Sequence, residues 1–397
     1  MRAPADPGGP TRAQIALLGA LSAFGPLSLD SYLPALPGLA RDLHASAPAV
    51  QLTVTACMAG LGAGQLLAGP LSDARGRRRP LLAGVACYGA ASAACALAPS
   101  IWALILCRLM QGLAGGAGIV IARAIVRDLT GGPAAARLFA LLAGVTGLVP
   151  VCAPLVGAQL LRLVAWRGVF GALAAISVPL AAVTAALLPE TLPSARRRGG
   201  GLQAVTATFA QLIADRRFWP YAAAFSLSFA AMFGYISGSS FVVQDVFGAT
   251  PQLFSYLFAT NAAALIAASL LGGRLAAARG PVAMVHRCVP AVALAALGVL
   301  VVTLLHAGLA PLEACFFLLA GSCGLVLPNG TAAAMAARRD ALGAASALLG
   351  VGQFGAGALV APLVGIGGGR DALAMALVIA AAGVAALMVA WTLAPRP

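Results

Sequence analysis

Apolar stretches of about 20 residues recur from one end of this chain to the other, and no other feature restricts its fold so strongly. Twelve can be marked, at approximately 14–34, 48–70, 80–98, 101–123, 137–160, 166–188, 218–241, 251–276, 283–306, 309–330, 341–364 and 371–394. That length matches a helix crossing a bilayer. A membrane β-barrel would instead show ~10-residue segments of alternating polarity, and none is found. Only 9% of the 397 residues are charged, against about 25% in soluble domains. The reading is an all-α membrane protein with twelve transmembrane helices.

The net charge of +14 would suggest nucleic acid in a soluble protein. Here every basic residue is Arg, and the arginines sort by side. If the N-terminus is cytoplasmic, 19 fall in cytoplasmic segments. Arg41, Arg162, Arg167 and Arg370 fall outside, and Arg108 and Arg123 lie within a span. The positive-inside rule then puts both termini in the cytoplasm, with the lipid bilayer rather than nucleic acid as partner. The N-terminal tail is short and the first apolar stretch is too long for a signal-peptide core, so no cleavable signal is expected. The eight cysteines form no CxxC pair and lie in predicted spans, and the three histidines are scattered. Neither a metal site nor a cofactor is expected.

The chain divides in two. Residues 189–217, "PETLPSARRRGGGLQAVTATFAQLIADRR", form the longest polar stretch and separate six spans from six. The expected organisation is a half at 1–188, a cytoplasmic linker at 189–217 and a half at 218–397. A repeat supports it: "APLVG" occurs at 153–157 and 361–365, and "ARG" ends at Gly76 and again at Gly280. Parallel six-helix repeats are a transporter architecture, with the binding site near the midplane between them.

One carboxylate stands out. Asp30 lies roughly 27 Å of helix from Arg12 and 16 Å from Arg41 at ~1.5 Å per residue. An acid at a helix centre costs ~2.5–3.5 kcal/mol to insert. Burial disfavours its charged form, which makes it a candidate proton carrier. Arg108 lies at a similar depth, roughly 12 Å from Ser100. It cannot lose its charge and is the expected partner of Asp30, with Gln111 one turn on. Glu190, Glu313 and the remaining Asp residues are read as lying at helix ends or in loops.

"GPLSDARGRRRPLL" (69–82) resembles the loop 2/3 signature of the major facilitator superfamily, G-x-L-x-D-x-x-G-R-R/K, at Gly69, Leu71, Asp73, Gly76, Arg77 and Arg78. "CRLMQGLAGGAG" (107–118) resembles its fourth-helix R-x-x-Q-G motif. "LDSYLPALP", "ARAIVRDL" (122–129), "APLVGAQL…WRGVF" (153–170), "PET" (189–191) and "LPNG" (327–330) together resemble the Bcr/CflA bicyclomycin/chloramphenicol-resistance drug:proton antiporters. The resemblance implies the major facilitator fold, with two pseudo-symmetric six-helix halves, and a proton-coupling role for Asp30 and Arg108. It implies a conformational latch at Gly69, Asp73, Gly76, Arg77 and Arg78, although Ala277 replaces the acid in the second half. It also implies a gate in the fifth span, where Gly147, Pro150, Pro154 and Gly157 permit a kink and close approach.

Candidate substrate contacts are Gln111, Thr55, Met58, Phe233, Tyr235, Asn261 and Gln353. Gln51, Thr55, Met58, Gly62 and Gln65 share one helix face, and aromatic and Met side chains suit apolar ligands of varied shape. Some multidrug members of the subfamily carry a second acid two turns before the Asp, where this chain has Ser22. That makes neutral compounds better expected cargo than cations.

The expectation is therefore not an enzyme but a monomeric, proton-driven antiporter that exports small amphipathic, bicyclomycin- or phenicol-like drugs across a bacterial inner membrane. A narrow-specificity exporter of amino acids or sugars stays open beside it. An intramembrane enzyme lacks a nucleophile–base pair or metal cluster, and a channel lacks a charge ring or filter sequence.

Overall fold

The computed structural model describes residues 10–130, 132–197, 215, 218–336, 342–367 and 371–392. Within the linker, the Gly run and Arg198, Arg216 and Arg217 fall outside the described residues, as does the tail 1–9. Twelve long helices are described: α1 Arg12–Asp30, α2 Ala47–Arg75, α3 Arg78–Ala96, α4 Ile101–Leu129, α5 Gly132–Leu160 and α6 Trp166–Leu187. Then follow α7 Trp219–Phe241, α8 Pro251–Arg279, α9 Pro281–Leu304, α10 Leu309–Ala336, α11 Leu342–Val364 and α12 Leu373–Thr392. After α1 the chain passes through a 3₁₀ turn at Leu33–Ala35 and a short helix at Leu36–Asp42.

Helix starts follow capping chemistry. Thr11 and Gln14 form a reciprocal capping box on α1. Ser46, Ser100 and Thr250 each accept a backbone N–H in the first turn of α2, α4 and α8. Gly76 and Gly280 end α2 and α8 at φ of 91° and 79°, a region that suits glycine. The repeated "ARG" thus makes the same turn twice.

Nine of the described helical segments are long and apolar enough to cross a membrane. Within α5 and α11, Gly144–Leu160 and Leu348–Val364 are apolar helix among the described residues. The remaining helix, α3, opens on Arg78 and Arg79 and is rich in Ala. It still occupies a place in the bundle, packed against α4 and α6. The outer surface is apolar: Trp102, Leu106 and Met110 stand exposed one turn apart on α4, a face suited to lipid.

The packing repeats six helices on. In the first bundle α2 packs on α4, α3 on α4 and α6, and α1 on α4, α5 and α6; in the second α8 packs on α10, α9 on α10 and α12, and α7 on α10, α11 and α12. The two bundles meet through α2 against α11 and α5 against α8. The closest pairing is α2 with α4. A Cβ on Gly60 or Gly64 would strike the backbone of α4 at Leu109 or Leu113, and one on Gly112 or Gly116 would strike α2 at Cys57 or Leu61. Small residues four apart on both helices bring the backbones together.

The bundles are fastened toward the end that carries Arg41. Ser240 Oγ donates to the Leu33 carbonyl at 2.5 Å, and Gln244 Nε2 to that of Pro34 at 3.2 Å. Gln252 Nε2 reaches the Ala158 carbonyl at 3.0 Å, and Gln51 Nε2 that of Ser237 at 3.3 Å. Arg41 and Asp245 approach to 3.9 Å; exposed as Arg41 is, such a pair adds little. Gly365 lies against Ala47 and Pro48.

Candidate functional site

Asp30 is the last residue of α1 and is buried, 7% exposed. α5 comes close beside it, because Gly157 leaves room for the Ser31 carbonyl, which a Cβ would meet. Across the joint, Asp30 lies within electrostatic reach of Tyr235 on α7. Among the described residues no ion pair includes Asp30.

Arg108 is fully buried on α4. Its Nη1 donates to Gln111 Oε1 at 2.5 Å, and Gln111 Nε2 donates to Ser92 Oγ on α3 at 2.7 Å. Its guanidinium lies over the rings of Tyr32, 4.3 Å from the centroid, and Phe170, 5.5 Å. Desolvated cation–π contacts are worth about 2 kcal/mol. Tyr32 is itself fixed by Thr53, hydroxyl to hydroxyl at 2.9 Å. Among the described residues, Nε and Nη2 of Arg108 have no hydrogen-bond partner. The structure therefore does not join Arg108 to Asp30; it holds the cation against two aromatic rings, with Nε and Nη2 to spare. Gln111, expected to touch substrate, stands behind Arg108 with both ends of its amide engaged.

Thr55, Met58 and Phe233 lie where the bundles meet. Thr55 Oγ1 donates to the Ala358 carbonyl at 3.1 Å. Met58 and Phe233 close on Gly357 of α11, where a Cβ would crowd both. Gln353, on α11, is half-buried. Tyr235 and Asn261 form a second polar centre that the sequence did not show. Asn261 Nδ2 donates to Tyr235 Oη at 2.9 Å and to Glu313 Oε1 at 2.6 Å. Glu313 is therefore no solvated helix end. It is half-buried in the first turns of α10 and bonded to an interior amide, which corrects the expectation that Asp30 is the only acid among the spans.

At the opposite end Arg77 is the hub. It is 6% exposed and donates to Asp73 Oδ1 at 2.5 Å, Asp128 Oδ2 at 2.9 Å and Ser72 Oγ at 2.8 Å. This joins α2, the start of α3 and the end of α4, all within the first bundle. Glu190, from "PET", accepts the N–H groups of Arg77 at 2.8 Å and Arg78 at 3.3 Å. Gly76 is required twice, for its positive φ and because a Cβ would meet the Glu190 carboxylate. Gly69 has ordinary contact with Val120, and Gly147 has open space around it. Pro150 and Pro154 lie inside α5.

Two predictions arise here. The Asp128 side chain is 17% exposed and that of Asp73 51%, so Asp128→Asn should cost more, about 1.5–3 kcal/mol as a charged hydrogen bond does, and Asp73→Asn under about 1 kcal/mol. Unfolding midpoints in detergent give the comparison; equal losses would contradict it. Burial alone would raise the Glu190 carboxyl, but N–H donation from Arg77, Leu192 and Arg78, with the Arg197 charge, holds it below its ordinary 4.5. Its stabilisation is then complete above that value and lost as pH falls through the lower folded one. The stability gap between wild type and Glu190→Gln should reach about 2 kcal/mol near neutral pH and close in acid.

Two pseudo-symmetric helical bundles, joined at one end beside a buried carboxylate that enters no ion pair among the described residues, define a membrane transporter. The family model described as Major Facilitator Superfamily matches residues 17–362, and the chain belongs to that family. It is 39% identical over 364 residues to the uncharacterized MFS-type transporter YdgK of Bacillus subtilis (strain 168), covering 91% of this chain and 90% of that protein. It is 27% identical over 350 residues to a bicyclomycin resistance protein homolog of Haemophilus influenzae, covering 88% of each. Among solved structures, a bacterial homolog to the human lysosomal transporter Spinster, inward-facing and unoccupied, superposes with a TM-score of 0.78 at 17% identity, over 97% of this chain and 98% of that one. The protein is a multi-pass membrane transporter and not an enzyme.

Proposed function

We propose that this transporter is a proton-coupled exporter of small amphipathic drugs of the bicyclomycin or phenicol kind, working by alternating access of its two bundles. One observation carries the reading: Asp30 is a buried carboxylate that, among the described residues, enters no ion pair, at the joint between bundles, while Nε and Nη2 of Arg108 in the same bundle donate to no described acceptor. A protonated, neutral Asp30 needs no cation. Once ionised it is drawn to the guanidinium, so proton loss biases the bundle toward a second arrangement. Inward proton flow then drives cargo out. The relative named for bicyclomycin resistance supports the cargo class.

Orientation follows from the arginines: a bacterial inner membrane, both termini cytoplasmic, and the Arg41 end outside. The fastening at the Arg41 end then corresponds to an arrangement open to the cytoplasm. Coupling needs no cofactor beyond the proton gradient, and one chain holds both bundles, so the working unit is a monomer.

Proton release tests the reading. Purified wild-type protein in weakly buffered detergent should release protons when a cargo drug from a bicyclomycin and phenicol panel is added. Binding without release would leave a facilitator or a receptor instead of an antiporter.

A further inference from the structure

Beside the second polar centre a groove of about 410 Å³ runs between α8 and α10. Leu257 and Thr260 line one wall, and Ala310, Glu313, Ala314 and Phe317 the other. Leu253 and Phe317 are exposed on the surface that the fold turns to lipid. The groove is thus an apolar cleft reached from the side of the molecule, not from the joint between bundles.

Its polar groups are of one kind. Glu313 brings a carboxylate about 6 Å into α10 at ~1.5 Å per residue, and among the described residues it enters no ion pair. Asn261, 1% exposed, spends both amide hydrogens on Tyr235 and Glu313, and its Oδ1 is buried without a partner. Tyr235 holds this amide in place, stacked on Phe258 at 5.7 Å and packed on Phe316 at 4.7 Å. A negative charge and an orphan acceptor, walled by Leu, Ala and Phe, complement a molecule with an N–H-bearing positive head and an apolar body. The Phe317 ring adds a face for the cation.

We propose that the groove between α8 and α10 binds lipophilic ammonium compounds arriving from the bilayer, with Glu313 and Asn261 holding the ammonium group. This assigns the chain a class of ligand that Ser22 and the joint do not suggest. It does not depend on proton coupling at Asp30.

The test uses the full chain in phosphatidylcholine nanodiscs, which contain no primary amine, with radiolabelled 4-phenylbutylamine as probe. Saturable binding is expected, with the uncharged isostere 4-phenylbutanol competing far more weakly. Glu313→Gln should weaken the amine about tenfold or more, equivalent to about 1.4 kcal/mol, and Asp30→Asn far less. Ala314→Trp, which fills the groove from its exposed side and keeps the acid, should give the same loss if Glu313→Gln folds poorly. Unchanged binding in Glu313→Gln and Ala314→Trp would overturn the proposal. So would loss in Asp30→Asn alone, which would move the amine to the joint. Abolition of binding when phosphatidylethanolamine replaces half the lipid would assign the groove to a headgroup and overturn it too.

Discussion

Asp30→Asn is expected to abolish uphill drug movement in proteoliposomes while leaving drug-for-drug exchange in place. With an imposed gradient of one pH unit, one-for-one coupling supports about a tenfold concentration ratio, because a unit is worth about 1.4 kcal/mol. The variant should level at a ratio near one. The amide is close in size to the acid, so the contact between Gly157 and Ser31 should survive and the bundles should still rearrange. What is lost is the choice between charged and neutral forms in a buried place. Exchange isolates that loss, since it needs rearrangement but no net proton movement. A tenfold ratio retained by the variant would remove Asp30 from coupling. Loss of exchange as well would mean that the residue is needed for folding or cargo binding.

The second large effect is on assembly. Gly112→Val should prevent the first bundle from packing, with a cost above the ~1–3 kcal/mol typical of overpacking. A Cβ there meets the Cys57 carbonyl and lies 3.0 Å from the Leu61 backbone nitrogen. Both are helix backbone and cannot swing aside as a side chain could. Gly147→Ala is the control. Nothing lies within 4 Å of its added Cβ, and exchanging a helix-interior Gly for Ala should stabilise by about 0.5–1 kcal/mol. Folded yield and the midpoint of thermal unfolding in detergent measure both. If Gly112→Val behaved like Gly147→Ala, the close pairing of α2 and α4 would not hold in the membrane.

Much of this architecture was legible because lipid imposes a one-dimensional rule. A span must be apolar for its whole length, so helices could be counted from the sequence. α3 shows the limit: a helix sheltered by α4 and α6 can be less apolar than the rule demands. The "ARG" repeat was legible because the same backbone turn needs Gly76 and Gly280. The glycine spacing of α2 and α4 is present in the sequence, but among 47 glycines spacing alone does not single out four.

The site was read less completely. Asp30 and Arg108 stand out as charges in apolar surroundings, but which neighbour each meets is decided in three dimensions. Tyr32 and Phe170, from segments far apart in the chain, occupy the place beside Arg108 that the sequence reading gave to Asp30. Glu313 was misjudged for a similar reason. Its distance from the end of α10 says nothing about Asn261 on the facing helix, which draws the carboxylate inward.

The reach of Glu190 back to Arg77, 113 residues earlier, orders the birth of the molecule. On a ribosome the knot around Arg77 can tie once residue 190 emerges, before α7, which starts at Trp219, has left the ribosome. The links at the Arg41 end must wait, because Ser240, Gln244 and Gln252 come later in the chain. The first bundle is thus free to mature as a finished template on which the second is laid. The joint between the bundles is the last thing built.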